Sequence, residues 1–196
     1  MPSYEIPGGS AEAEIREKGS VFLALVRPVA SEPEARSALD EVARRFPDAS
    51  HRCWALRLGS PPRERASDAG EPAGTAGKPM LQVLRGAALS DVLAVAVRWF
   101  GGVKLGKGGL ARAYASAVRA ALVDLPRSVR ASRVRIAVEV PYDKIGAVKR
   151  LIQPPAVALE AEEYGERVRL DLAVLEERVG PLLEALADLG VTPAVA

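Results

Sequence analysis

The run DVLAVAVRWF, from Asp91 to Phe100, is apolar almost without a break. A strand with one face in water alternates apolar and polar residues, so this one must lie in a sheet covered on both faces. The stretch WFGGVKLGKGGLARAYASA, Trp99 to Ala117, puts five glycines and two lysines between Gly101 and Gly109 and then becomes an alanine-rich helix that stops before Pro126. Three ligand chemistries fit a strand, a glycine loop and a helix in that order. Gly101, Gly106 and Lys107 match a P-loop, but Gly108 stands where the magnesium-binding hydroxyl belongs. Gly106, Gly108 and Ala111 match a dinucleotide fingerprint, yet the nearest ribose-binding acid, Asp124, falls at the end of the same helix. The third reading asks only for oxyanion binding. Gly101, Gly102, Gly106, Gly108 and Gly109 let a ligand approach the main chain, the helix points its positive end there, and Lys104, Lys107 and Arg112 add charge. A plain alternative is that the glycines serve only a tight turn and close helix-to-strand packing.

The flanking pattern is that of an α/β (α+β) protein. SVFLALVRPV (Ser20 to Val29) reads as a strand, and Ser31 with Glu34 makes a capping box that starts a helix near Glu32. Ala35, Leu39, Val42, Ala43 and Phe46 are expected on its buried face, and Pro47 ends it. HRCWALRLG (His51 to Gly59) is a strand in which Cys53, Ala55 and Leu58 compete with the opposite face for burial. SPPRERASDAGEPAGTAG is expected as a long polar loop, and KPMLQVLRGAAL as a short helix with Pro79 in its first turn. Arg127 to Ser132 has neither period, which sets a boundary between a domain over residues 1–130 and a second over 131–196. Beyond it the strands RVRIAVEV, AVALEAEEY, ERVRLDLAVL and VTPAVA and the helices YDKIGAVKRLI and VGPLLEALADL follow a βαββαβ order, the ferredoxin-like arrangement.

Charge is unevenly spread. Residues 1–130 carry 19 Lys+Arg against 14 Asp+Glu, and the remainder 8 against 11, so an anionic partner is expected on the first domain. The single cysteine, Cys53, excludes an internal disulfide and has no neighbours at zinc-binding spacing. The N-terminal stretch carries no export pattern and no run is long enough to span a membrane, so a cytosolic location and no membrane partner are expected.

A second constellation lies in SDAGEPAGTAGKPM, which sets Asp68, Glu71, Thr75 and Lys78 before a helix start. These groups can form a polar wall or do acid-base work, or Thr75 can cap the helix while Glu71 pairs with a base. His51 and Cys53 share a strand face, but nothing orients the histidine as a thiol hydrolase requires.

The blocks DASHRCWA, SDAGEPAGTAGKPML and VRWFGGVKLGKGGLARAY, in this order, resemble the signature of the YigZ/IMPACT family, and the βαββαβ tail resembles the small C-terminal domain of its bacterial members. The resemblance implies an N-terminal βαβ domain similar to elongation factor G domain IV and the ribosomal-protein and sugar-kinase superfamily. Eukaryotic relatives inhibit a translation-controlling kinase by competing for its activator, partly through an extra N-terminal domain not found in this chain; for bacterial members nucleic-acid or ribosome association is a proposal. The family usually has two adjacent acids before Gly-Glu-Pro, whereas Asp68 is followed here by Ala69, which counts against a mechanism needing both carboxylates. LGKGGLARA is similar to the kinase phosphate loop but lacks its serines.

The combined expectation is a non-catalytic protein binding RNA or a ribosomal site and acting in translation, with no metal and no cofactor. The glycines and cations named above would contact phosphates, Trp99 or Tyr114 would stack on a base, and His51, Asp68, Glu71, Thr75 and Lys78 would form a second wall. The alternatives are a small-molecule kinase or hydrolase in the same cleft, and a protein-interaction module; the oligomeric state is left open.

Overall fold

The computed structural model describes residues 3–131 and 133–194. The chain divides into two units, Tyr4–Arg130 and Ala131–Ala196. Both are mixed α/β.

In the first unit, strands β2 (Ala11–Glu17), β3 (Ser20–Pro28), β4 (His51–Leu58), β5 (Arg63–Ser67) and β6 (Val92–Trp99) form one sheet in the order β2-β3-β6-β4-β5. Every neighbouring pair is antiparallel. Since β3 and β4 both flank β6, they run parallel to each other, and helix α1 (Glu32–Arg45) makes the crossover of a split βαβ unit. Helices α2 (Gly77–Gly86) and α3 (Gly106–Val123) cover the other face. The apolar run is thus buried from both sides: Val92, Ala94 and Ala96 pack toward α2 and α3, and Leu93, Val95 and Val97 toward α1. The same arrangement resolves the ambiguity of β4, where Cys53 and Ala55 face α2 and α3 while Leu56 and Leu58 face α1.

Helix α1 starts where the capping box puts it, with Ser31 Oγ accepting from the Glu34 amide. Of the face expected, Ala35 and Val42 are buried and Leu39 and Phe46 pack against the same core, while Ala43 is exposed and Ala38 is buried in its stead. Four strands are not read in the sequence, among them β2. β1 (Tyr4–Pro7) and β7 (Arg127–Arg130) pair with each other, and β5 lies inside the stretch expected to be wholly loop. β1 and β7 are tied to the sheet by Asp91, buried, which accepts from the Tyr4 hydroxyl, the Gly59 amide and the Arg130 guanidinium.

In the second unit β8 (Arg133–Val140), β9 (Val157–Tyr164), β10 (Val168–Leu175) and β11 (Pro193–Ala194) form an antiparallel sheet in the order β11-β8-β10-β9. With α4 (Ile145–Lys149) and α5 (Glu176–Asp188) this is the ferredoxin-like order, and Val138, Val148, Leu170, Leu172 and Leu186 are among the residues that fill its core. The last residues of VTPAVA, 195–196, lie outside the described residues.

Candidate functional site

Two helices begin at the same end of the first sheet, and their N-termini are treated differently. The first N–H groups of a helix have no partner within it and attract an acceptor. For α2 the acceptor comes from outside the helix: Asp68 takes the amides of Gly74 at 2.8 Å and of Ala76 and Gly77 at 2.9 Å. Burial pushes the Asp68 carboxyl up, but these three donors outweigh it and hold it below its usual range. Thr75, only 3% exposed, does not cap; its hydroxyl donates to the Pro72 carbonyl at 2.6 Å. Asp68 and Thr75 are therefore committed to folding the loop rather than lining a wall.

Among the described residues helix α3 has no such acceptor. Its N-cap, Leu105, provides no side-chain hydrogen bond and its first turn holds no acid, while Gly106, Lys107 and Gly108 are exposed. Lys104 and Arg112 are also exposed, and neither they nor Lys107 has an ion-pair partner among the described residues. Arg112 folds back toward the helix start, its Nη1 3.4 Å from where a Cβ on Gly108 would stand. A fourth cation comes from the β2–β3 turn, where Lys18 (φ 47°) and Gly19 (φ 80°) occupy the two left-handed positions of a tight hairpin. Lys18, Leu105, Gly109, Arg112 and Ser116 line a surface groove of about 320 Å³. The Lys-Gly pair between AEAEIRE and SVFL was the signal for this turn, and it escaped notice because the first of these strands did.

The five glycines do not share one task. A Cβ on Gly101 would lie 1.9 Å from the Gly19 carbonyl carbon, so this glycine admits the protein's own turn and not a ligand. Gly102 and Gly106 have positive φ with open space around them, and Gly109 backs onto Leu105. Gly106 to Gly108 are what faces solvent at the helix start.

Behind this surface the two loops meet in the interior. Glu71, 8% exposed, pairs with Arg98 at 2.6 Å and accepts from the Tyr114 hydroxyl at 2.7 Å. Arg98 also donates to Ser20 Oγ at 3.3 Å, which takes the Gly101 amide at 3.2 Å. The guanidinium lies 5.3 Å from the ring centre of Phe22 and 5.5 Å from that of Phe100, and its buried Nε has no hydrogen-bond partner. Glu71 thus pairs with a base, and the wall expected from it is instead a buried ion pair.

Two further expectations, the stacking roles of Tyr114 and Trp99, need correction. Tyr114 is 0% exposed and has no face to offer a base. Trp99 points to the α1 side of the sheet, against Phe46, with its indole N–H donating to Asp48 at 2.9 Å. The aromatic ring that the loop does expose is Phe100, at 51%, with Arg98 beneath it. Cys53 donates its S–H to the Asp68 carbonyl, and burial pushes its pKa up to about 12, so it cannot supply a thiolate at neutral pH. His51 holds the Ala69 carbonyl through Nδ1 at 3.0 Å, with Nε2 4.0 Å from Glu71. Lys78 is exposed on the first turn of α2.

Ala69 itself sits at φ 43°, the left-handed region, which short polar residues and glycine tolerate better than alanine. Ala69→Gly is expected to raise the unfolding free energy by about 0.5–1 kcal/mol, read from the urea midpoint, because the strain at this position exceeds the entropy that glycine adds to the unfolded chain.

These observations define a two-domain α/β protein: a split βαβ unit carrying an uncapped, cation-ringed helix start, and a ferredoxin-like unit. Residues 18–122 match the Impact N-terminal domain, and residues 138–190 match a domain of unknown function, DUF1949. An IMPACT family member of Thermus thermophilus is 43% identical over 87% of this chain and 93% of its own. The IMPACT family member YigZ of Escherichia coli is 31% identical over 96% and 94%. A crystal structure described as that of a hypothetical protein superposes over 100% of this chain and 98% of its own, with a TM-score of 0.72 at 30% identity. The chain belongs to the IMPACT family.

Proposed function

We propose that this protein binds a phosphate-bearing partner, RNA or a ribosomal site, at the start of α3, as a regulator of translation without chemistry of its own. The observation that carries the reading is the open N-terminus at Gly106 to Gly108. Its amides are uncapped, and Lys18, Lys104, Lys107 and Arg112 gather where the helix dipole is already positive. Like charge at that end of a helix is unfavourable, and an anion bound there reverses its sign. Phe100 supplies the aromatic face, in the role expected of Trp99 or Tyr114. The carboxylates on which a kinase or hydrolase would draw are engaged, Asp68 by three amides and Glu71 by Arg98 and Tyr114, which favours binding over catalysis. No helix among the described residues is long and apolar enough to cross a membrane.

The double replacement Lys104→Ala/Lys107→Ala is expected to flatten the dependence of log K on log salt for an RNA oligonucleotide by about 1 to 1.5 units, since each phosphate contact on a single strand contributes about 0.7. An unchanged slope removes these lysines from the interface.

A further inference from the structure

Three surface grooves flank α3. The first, of about 320 Å³, holds Lys18, Leu105, Arg112 and Ser116. The second, of about 360 Å³, shares Arg112 and Ser116 with it and adds Pro79, Gln82 and Arg119. The third, of about 380 Å³, shares Gln82 and Arg119 with the second and runs on to Gly86 and Leu122. The second and third share Gln82 and Arg119 and make one furrow between α2 and α3; the first lies between α3 and the β2–β3 hairpin and adjoins the furrow across the exposed Arg112 and Ser116. At 1.5 Å per residue, the span from Leu105 to Leu122 is about 25 Å.

The character of the furrow is uniform. Small residues, Ala111, Ala115 and Ser116 from α3 and Gly86 and Ala87 at the end of α2, make up much of its lining, beside Pro79, Val83 and Leu122. Arg112 and Arg119, seven residues apart, project from the same side of the helix about 10 Å from each other. Both are exposed, and neither has a carboxylate partner among the described residues. Glu17, at the end beside Lys18, is the one acid in the lining. No lining residue is aromatic.

We infer that this furrow is the track for a single strand of RNA leaving the α3 N-terminus, held by its phosphates at Arg112 and Arg119 and read without regard to sequence. The inference rests on the phosphate-binding reading above and gives it a direction, from Lys18 toward Leu122. Positive charge at intervals along a narrow groove follows a polyanion, and a lining rich in small residues leaves room for the sugar-phosphate chain. A strand without stacking partners inside the furrow contributes backbone contacts only, which carry no sequence information. The proposed occupant is one strand, and a duplex is expected not to enter.

The test compares oligouridylates of two and eight nucleotides on the full chain, with Arg119→Ala and the lysine pair measured in parallel. Arg119 is exposed in mid-helix and alanine is the best helix former, so the fold is retained. The variant is expected to lower the salt slope for the octanucleotide by about 0.7 and to leave the dinucleotide unchanged. Ser116→Glu, which puts an acid in the lining, should weaken the octanucleotide about tenfold. Octauridylate annealed to its complement should bind as weakly as the dinucleotide.

If Arg119→Ala leaves the octanucleotide slope intact while the lysine pair flattens it, the helix-start site stands and the furrow is refuted. The converse result keeps the furrow and removes the lysines. Equal competition by an acidic polypeptide of matched charge would mean that the groove takes peptides, and it too would overturn the proposal.

Discussion

Glu71→Ala is expected to cost about 3–5 kcal/mol of unfolding free energy, the loss that follows when one partner of a buried ion pair is removed and the other stays inside uncompensated. Arg98 has little in reserve. Its Nε is already without a hydrogen-bond partner, its other acceptor among the described residues is the neutral Ser20 hydroxyl at 3.3 Å, and the rings of Phe22 and Phe100 face its charge. The same change strips the acceptor from the Tyr114 hydroxyl at the centre of the first core. Urea denaturation of the variant measures the loss, and the double replacement Glu71→Ala/Arg98→Leu separates its causes. Removing the stranded charge together with its partner should restore most of the stability, since buried pairs exchanged for apolar groups are often neutral. A double variant as unstable as Glu71→Ala alone would assign the loss to the Tyr114 hydroxyl and to packing, and the ion pair would be a minor contributor.

Gly101→Ala is expected to be as damaging by a different route. The added methyl would stand 1.9 Å from the Gly19 carbonyl carbon, 2.1 Å from its oxygen and 2.3 Å from the Ser20 nitrogen, all main-chain atoms that cannot swing aside as a side chain does. The strand end or the β2–β3 turn has to move, at a cost of about 3 kcal/mol or more, at or above the upper end for overpacking. Displacing the turn also pulls Ser20 Oγ from the Gly101 amide and from Arg98. The comparison is Gly108→Ala, where the nearest atom is the flexible end of Arg112 at 3.4 Å and the backbone is helical; stability there should hold or rise. Midpoints from thermal unfolding of the two variants decide the matter. If Gly101→Ala melts with the parent, the close approach of the turn is not what fixes this residue.

The parts of the fold that were legible in the sequence are those whose pattern is local. The apolar run of β6, the capping box of α1 and the period-two strands of the second unit each declare themselves within ten residues. β7 is exposed at all four positions and held by its main-chain pairing with β1, more than a hundred residues away, so no hydrophobic period could announce it. β5, with the sequence RERAS, is a charged edge strand, which makes it look like loop. The site divides along the same line. Its glycines, Lys104 and Lys107 are contiguous and legible in the sequence, whereas Lys18 comes from a hairpin more than eighty residues earlier. The uses of Asp68, Glu71 and Tyr114 depend on partners six to 43 residues distant, and those could not be assigned from spacing. Trp99 and Phe100 are adjacent in sequence, yet Trp99 packs on the α1 side and it is Phe100 that reaches the surface.

The wedge of Gly19 against Gly101 has a mechanical corollary. The hairpin that carries Lys18 and the loop that carries Lys104 are clamped to each other main chain to main chain, so cations from opposite ends of the first unit's sequence travel as one rigid jaw. Any shift of the β6 terminus is transmitted to both segments at once, so the backbone spacing from which the two lysines reach out is set by the architecture.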